Sequence, residues 1–324
     1  MIKLEHVVLA SPEQMEFIIE GMRNPMNSWN KSDSFFVEDG EYHDIFGNSG
    51  PYNGTVTDSE TFFEMGDNDY DLMRQLSKAG TDHRKFMRQM PVYVRVTAPL
   101  YWWKEFETYR VGVAPNPADI ESNSCSTMHK IQEKEFTLDD FSCEHLDGET
   151  IPLFTDGNLI KDDGSYGTYN CSAYDFMSIA CDVLNVYRNR YLETKKKPMK
   201  DESARAELLK KYWWQMIQLL PSSYNQTRNV MMNYEVLANI YKSRKNHKLD
   251  EWVKFCKWIK TLPYSELITG KEEEPKFTNY VELEEYSSSP VSKAYSILVD
   301  ARNNNDMENL DINEVIGYLG EALE

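Results

Sequence analysis

Between Pro91 and Arg110 the chain passes from one hydrophobic period to another across a single Ala-Pro step. Val92, Val94 and Val96 point to one face and Tyr93 and Arg95 to the other, which is the pattern of a half-buried strand. Leu100 to Arg110 then reads as a helix carrying Tyr101, Trp102, Trp103 and Phe106. Such a strand needs a sheet to pair with, and such a helix needs a core to pack on. The aromatic cluster reads first as core or subunit interface and second as a ligand platform. Residues 111–122 contain Gly112, Pro115 and Pro117 and form a loop, which ends in Asn123-Ser124-Cys125-Ser126-Thr127.

The same reasoning gives the rest of the chain. Leu4 to Ala10 is a first strand. Ser11-Pro12-Glu13-Gln14 starts a helix, with Ser as cap and Pro at the first helical position, and Met15, Ile18, Ile19 and Met22 follow at helical spacing. Residues of about 30 to 60 read as a long polar loop, and Asp69 to Ala79 as a helix ended by Gly80. Residues 140–170 are loop-like with weak strands. Ala173 to Glu193 is a long helix whose buried side takes Phe176, Ile179, Ala180, Val183, Leu184 and Tyr187. Helices at Glu202–Leu220, Thr227–Lys242 and Leu249–Lys260 complete the main body. The segment from Lys271 onward holds 4 basic and 13 acidic residues, half of the chain's net charge, and reads as an acidic solvated extension with short helices at 291–302 and 312–323.

Charge and cysteine usage narrow the function. With 35 basic and 53 acidic residues the net charge is −18, so a nucleic acid meets a repulsive field and is not an expected partner. The five cysteines have no CxxC spacing, which fits a reduced, cytoplasmic setting. No apolar run of about 18 residues is present, so no membrane partner is expected. No spaced His/Cys cluster suggests a metal. Cys125 and His129 lie in a loop without a third orienting group, which argues against nucleophilic catalysis there.

The order of parts resembles the flavin-dependent thymidylate synthase family. Ala98-Pro99 leading through Lys104, Glu105 and Phe106 to Arg110 is similar to that family's strand, Ala-Pro and Arg-Gln…Arg-His-Arg stretch. Asn123-Ser124-Cys125-Ser126-Thr127-Met128 stands where the family has Ser-x-Asn-Glu-x-Ser-x-Arg-Tyr. His83-Arg84-Lys85-Phe86-Met87-Arg88 stands for a His-x-x-Phe-Glu-His element. Leu219-Leu220-Pro221 opens a segment that runs without gaps through Asn233, Asn239 and Arg244, followed by His247 and Glu251. The resemblance spans about residues 1–265, with an insertion near 131–170, and leaves 266–324 as the acidic extension.

Membership would imply a mixed α/β (α+β) fold, helix-rich with one mixed sheet, and a homotetramer with FAD between subunits. It would imply methylation of dUMP to dTMP with methylenetetrahydrofolate, reduced flavin and NADPH. By resemblance Arg244 and Ser126 are catalytic, Arg244 favouring the ionised uracil. His83, Arg84, Tyr109, Arg110, Asn123, Asn233 and Asn239 hold the cofactor. Lys104, Glu105, Ser124, Ser126 and Arg244 meet the substrate. Several signature positions differ: Thr108 and Tyr109 replace Arg and His, Glu105 replaces Gln, Ser124 replaces Glu, Met128 and Ile217 replace phosphate-binding Arg, and Glu235 replaces a flavin-side Arg. Losing two phosphate cations weakens dUMP binding unless Lys104, Arg84, Lys85, Arg88, Lys130 or Arg228 takes their place. Two alternatives therefore stay open. One is a family-fold protein without the reaction, acting as scaffold or binder of another nucleotide. The other is a flavoenzyme for a different pyrimidine. The divergent motifs and strong acidity also suit a phage-type gene.

Overall fold

A computed structural model of the chain describes residues 2–52, 61–110, 121–124, 130–153, 159–160, 166–167, 169–198 and 200–270. Its strands are β1 (Lys3–Leu9), β2 (Phe35–Glu38), β3 (Glu41–Asp44), β4 (Ser49–Pro51), β5 (Phe62–Glu64), β6 (Pro91–Pro99), β7 (Glu121–Ser124), β8 (Ile151–Leu153), β9 (Leu159–Ile160), β10 (Tyr166–Gly167), β11 (Tyr169–Cys171) and β12 (Asn225–Asn233). Its α-helices are α1 (Pro12–Arg23), α2 (Asp67–Lys78), α3 (Leu100–Phe106), α4 (Ala173–Lys196), α5 (Glu202–Leu219), α6 (Tyr234–Arg244), α7 (Asp250–Ile259) and α8 (Glu266–Thr269). The chain divides into two compact units, Met1–Gly270 and Lys271–Glu324. The second unit, with the helices expected at 291–302 and 312–323, lies outside the described residues.

The α+β class read from the sequence holds, but the sheet is not mixed. The principal sheet has the order β1-β6-β12-β7, and every neighbouring pair in it is antiparallel. Its centre is an unbroken ladder from Pro91↔Asn233 to Pro99↔Asn225. On β6, Val92, Val94, Val96 and Ala98 are buried while Tyr93 and Arg95 are exposed, as the alternation requires. β12 corrects the helix expected over 227–242. Val230, Met231 and Met232 suit either period, and bonding to β6 on one side and β7 on the other makes them strand. The helix starts only at Tyr234, where the Asn233 side-chain oxygen accepts from the Val236 amide at 3.0 Å and caps it.

The aromatic helix lies in the core. Trp102, Trp103 and Phe106 are almost fully buried. Trp102 stacks on Phe106 with ring centroids 4.9 Å apart, and meets Trp252 at 4.8 Å and Phe255 at 5.7 Å, which joins α3 to α7. Aromatic pairs at these separations add to the large apolar area each ring buries.

The polar stretch read as a loop contains a second antiparallel sheet of order β4-β3-β2-β5. Asp39 (φ 51°) and Gly40 (φ 78°) make the two-residue turn between Glu38 and Glu41. Asp-Gly is the composition that such a turn demands, and flanking apolar residues such as Phe36 and Val37 complete the hairpin signal. Residues 53–60 of that stretch lie outside the described residues. The expected start of α1 is present: the Ser11 hydroxyl accepts from the Gln14 amide at 3.2 Å and the Gln14 side chain returns the bond at 3.0 Å.

One buried carboxylate joins these N-terminal parts. Asp69 on α2 is fully buried and accepts from Arg23 of α1 at 2.5 Å, from the Ser32 hydroxyl at 2.7 Å, and from the Ser34 amide at 3.0 Å. Asp33 caps α2 in turn by accepting from the Asn68 and Asp69 amides. Gly66 lets Asp33 approach, because a Cβ there would stand 2.1 Å from the Asp33 carboxylate oxygen.

A second core lies among α4, α5 and residues 131–141, formed by Ile131, Phe136, Phe141, Met177, Cys181, Leu184 and Met216. This reverses the expected orientation of α4. Leu184 is buried as expected, but Met177 and Cys181 accompany it, whereas Phe176 (64% exposed), Ile179, Val183 and Val186 face outward. The helix carries two apolar stripes, and the insertion covers only one of them.

Burial raises the Asp69 carboxyl's tendency to hold its proton, but hydrogen bonds from Ser32, Ser34 and Arg23 outweigh it and leave the group below its ordinary value. The stabilisation is therefore complete above the unfolded value of about 3.9 and is lost as pH falls through the lowered folded value. Asp69→Ala is expected to lower unfolding free energy by about 3–5 kcal/mol at neutral pH, because Arg23 is left buried and unpaired. Urea titration at pH 7 measures the loss, and the gap between variant and parent should narrow when the titration is repeated in acid.

Candidate functional site

β6 runs straight into α3 and β12 straight into α6, and the two strands are antiparallel. Each helix therefore starts at an opposite end of the ladder. The ladder is about 30 Å long and α6 about 16 Å. Folding back along the sheet, α6 brings its last residue, Arg244, to the end of α3. There the turn Glu107–Arg110 follows α3 and supplies Tyr109.

Arg244 donates through Nε to the Tyr109 hydroxyl at 2.7 Å, and its Nη1 forms an ion pair with Glu105 Oε2 at 3.0 Å. Its guanidinium lies 5.5 Å from the Tyr109 ring centroid and 5.0 Å from that of Trp252. The same Glu105 oxygen accepts from Trp252 Nε1 at 3.0 Å and stands 3.6 Å from His247 Nε2. His247 Nδ1 accepts from the Leu249 amide at 3.1 Å, so Nε2 is the nitrogen that carries the proton toward Glu105. Arg244 and Glu105 are partly exposed, at 20% and 37%. The result is a fixed, solvent-reachable arginine whose plane is set by two aromatic rings and whose charge is balanced by one carboxylate. Beside it the Tyr101 hydroxyl donates to buried Glu251 at 2.5 Å, and burial together with that carboxylate pushes its pKa upward.

A second cluster joins the short turn Lys85–Arg88 to α6. Glu235, 2% exposed, pairs with Arg84 at 3.3 Å and with Arg88, and Arg84 Nη2 donates to Asn239 Oδ1 at 3.3 Å. A third arginine, Arg228 on β12, pairs with Glu107, donates to Gln226 at 2.9 Å, and lies 4.2 Å over the Trp103 ring.

Several residues expected from the sequence thus come together: Glu105, Tyr109 and Arg244 in one cluster, and Arg84 and Asn239 in another. Asn233 is buried as the α6 cap. His83 and Lys104 are exposed. Asn123 and Ser124 lie on β7, opposite Asn229 and Arg228 of β12. The backbone of Arg110 ends the turn that holds Tyr109, but its side chain lies outside the description, and Ser126 lies outside the described residues altogether. Of the cations weighed as phosphate ligands, Arg84, Arg88, Arg228 and Lys130 each have an acidic partner, the last being Glu133 at 2.6 Å. Trp252 was not anticipated. Its signal was present, since it follows Glu251 on the buried stripe of a strongly amphipathic helix. No cluster of three metal-binding side chains occurs among the described residues, and no helix of theirs is long and apolar enough to cross a membrane.

The donor set of the second cluster fits an anionic dinucleotide. Arg84 and Arg88 are 19% and 32% exposed, and with the Asn239 side chain beside Arg84 they offer cationic groups and an amide of the kind such a ligand takes.

No known protein-family profile matches the chain, and no curated protein matches it in sequence. Among solved structures it is similar to flavin-dependent thymidylate synthase from Helicobacter pylori complexed with FAD and dUMP, with 12% identity over 82% of this chain and 95% of that one and a TM-score of 0.45. It is also similar to a UMP/dUMP methylase from Streptomyces cacaoi bound with 5-Br dUMP, with 13% identity over 83% and 95% and a TM-score of 0.44.

Glu235→Ala is expected to cost about 3 kcal/mol or more of stability, because it removes the buried carboxylate that Arg84 and Arg88 share. Thermal unfolding of parent and variant measures this, and added salt should recover part of the loss by screening the two guanidinium groups.

Proposed function

We propose that this chain is a flavin-dependent enzyme that methylates a pyrimidine nucleotide. Its cofactor is FAD, its co-substrates are methylenetetrahydrofolate and NADPH, and it works in the cytoplasm. The observation that carries the reading is the meeting of Arg244 and Tyr109. They lie 135 positions apart, both are singled out by the sequence resemblance, and they are hydrogen-bonded at 2.7 Å.

In this reading the ring of the substrate lies against Arg244. The guanidinium stays cationic at all working pH values and donates to a ring carbonyl, stabilising charge that develops on the pyrimidine. Tyr109 and Trp252 hold its plane, so little order has to be created when the nucleotide binds. Arg84, Arg88 and Asn239 would hold the anionic part of the flavin nucleotide. When bound, the folate would supply the one-carbon unit and the reduced flavin the hydride of the new methyl group, with the pyrimidine C5 giving up its proton.

The acid partners of the arginines favour a second reading on the same fold. An anionic phosphate gains less from an arginine that already has a carboxylate beside it. A protein without the methylation step, or a flavoenzyme for a pyrimidine other than that of dUMP, accounts for that pattern.

The homotetramer expected from the resemblance also belongs to this proposal. The uncovered stripe of Phe176, Ile179, Val183 and Val186 on α4 supports it, because these side chains gain from burial only against a further surface. Val183→Glu is expected to lower the mass of the assembly measured by light scattering, while circular dichroism stays unchanged.

Arg244→Ala is expected to cut nucleotide turnover by about 100- to 1,000-fold with the fold retained. Steady-state kinetics with dUMP, alongside an absorbance spectrum near 450 nm for bound flavin, test both parts. Turnover equal to the parent's removes Arg244 from the mechanism. A purified protein that takes up no flavin removes the flavoenzyme reading itself.

A further inference from the structure

Glu105 and Arg244 together present an ordered set of hydrogen-bonding groups. The polar contacts of the Glu105 carboxylate converge on Oε2: a hydrogen bond from Trp252, an ion pair with Arg244, and His247 Nε2 at 3.6 Å. Among the described residues Oε1 accepts nothing. Arg244 spends Nε on Tyr109 and one Nη1 donor on Glu105, and among the described residues Nη2 has no partner. Both side chains are open to solvent on one side. Taken along one edge from Glu105 to Arg244, the groups left for a ligand would be an acceptor, a donor and a further donor.

From this geometry we infer that Glu105 is a specificity-determining residue and that the site takes a cytosine-type pyrimidine nucleotide in preference to a uracil-type one. The inference rests on the nucleotide-binding reading above. Along its hydrogen-bonding edge cytosine presents the exocyclic N–H donor, the N3 acceptor and the O2 acceptor. That order complements acceptor, donor, donor at all three places. Uracil presents O4, N3–H and O2, which are acceptor, donor and acceptor. If its N3–H reaches Glu105, one carbonyl oxygen is left against the carboxylate, and the pair is satisfied at two places only. A buried or half-buried polar site discriminates strongly when one ligand leaves a group unpaired.

Charge acts in the same direction. A lone arginine favours an ionised uracil ring, whereas an arginine already balanced by a carboxylate does not, and the carboxylate opposes a second negative charge beside it. Glu105 is held in place by Trp252 and Arg244 and cannot swing away without breaking a hydrogen bond and an ion pair.

Isothermal titration of the full-length protein with dCMP and with dUMP tests the inference without relying on catalysis. The expected result is binding of dCMP at least about tenfold tighter than dUMP. In Glu105→Gln, whose amide turns a donor to the ring, that ratio should fall to near one or reverse. Glu105→Asp keeps the acceptor and should keep the preference. Equal or tighter binding of dUMP by the parent overturns the inference, as does a preference that survives Glu105→Gln. Binding of neither nucleotide overturns the underlying nucleotide-binding reading, and the inference falls with it.

Discussion

The ladder between β6 and β12 is the interaction on which the other parts depend. It pairs residues more than 120 positions apart, places β1 and β7 on its two sides, and launches α3 and α6 from opposite ends. Every arginine cluster described above is a result of that arrangement. Arg228 lies within the ladder, Arg244 ends a helix that β12 starts, and Glu105 and Glu107 end the helix that β6 starts. A shift of β12 by one residue would turn Val230 and Met232 from the core to the outer face. It would also part Arg228 from Glu107.

The aromatic stack sets the remaining freedom. Trp102, Phe106, Trp252 and Phe255 fix α3 against α7 and leave only the rim of that contact for chemistry. Trp252 serves both regions. One part of its ring belongs to the core, and its Nε1 and outer face hold Glu105 and Arg244. Precision in the charged cluster thus comes from packing beneath it, which is a stiffer support than a loop supplies.

How far the sequence could be read varied with the strength of the local signal. β6 and α3 were legible because the period changes cleanly between them, and the start of α1 because Ser-Pro-x-Gln is a chemical instruction for a cap. β12 was not, since Val230, Met231 and Met232 border a real helix and only partners distant in sequence make them a strand. The hairpin at Asp39-Gly40 was overlooked because polar residues surround it. The two stripes of α4 are equally apolar, and nothing local says which one the chain itself will cover. At the candidate site, Arg244 and Tyr109 were marked by resemblance alone. The changed positions Glu105 and Glu235 were read as an acid in place of a glutamine and of an arginine. In the fold each is the partner of an arginine, a fact that lies in the pairing of distant segments and not in any one of them.

Glu105 with Arg244, Glu107 with Arg228, and Glu235 with Arg84 and Arg88 have a consequence for the protein's history. Removing one member of a half-buried ion pair leaves the other desolvated and unbalanced, which costs more than removing both. Lineages descended from this chain can therefore alter these positions readily only as sets. An arginine restored at 235 has to arrive with a changed 84 or 88, and a glutamine restored at 105 with an adjusted surrounding for 244.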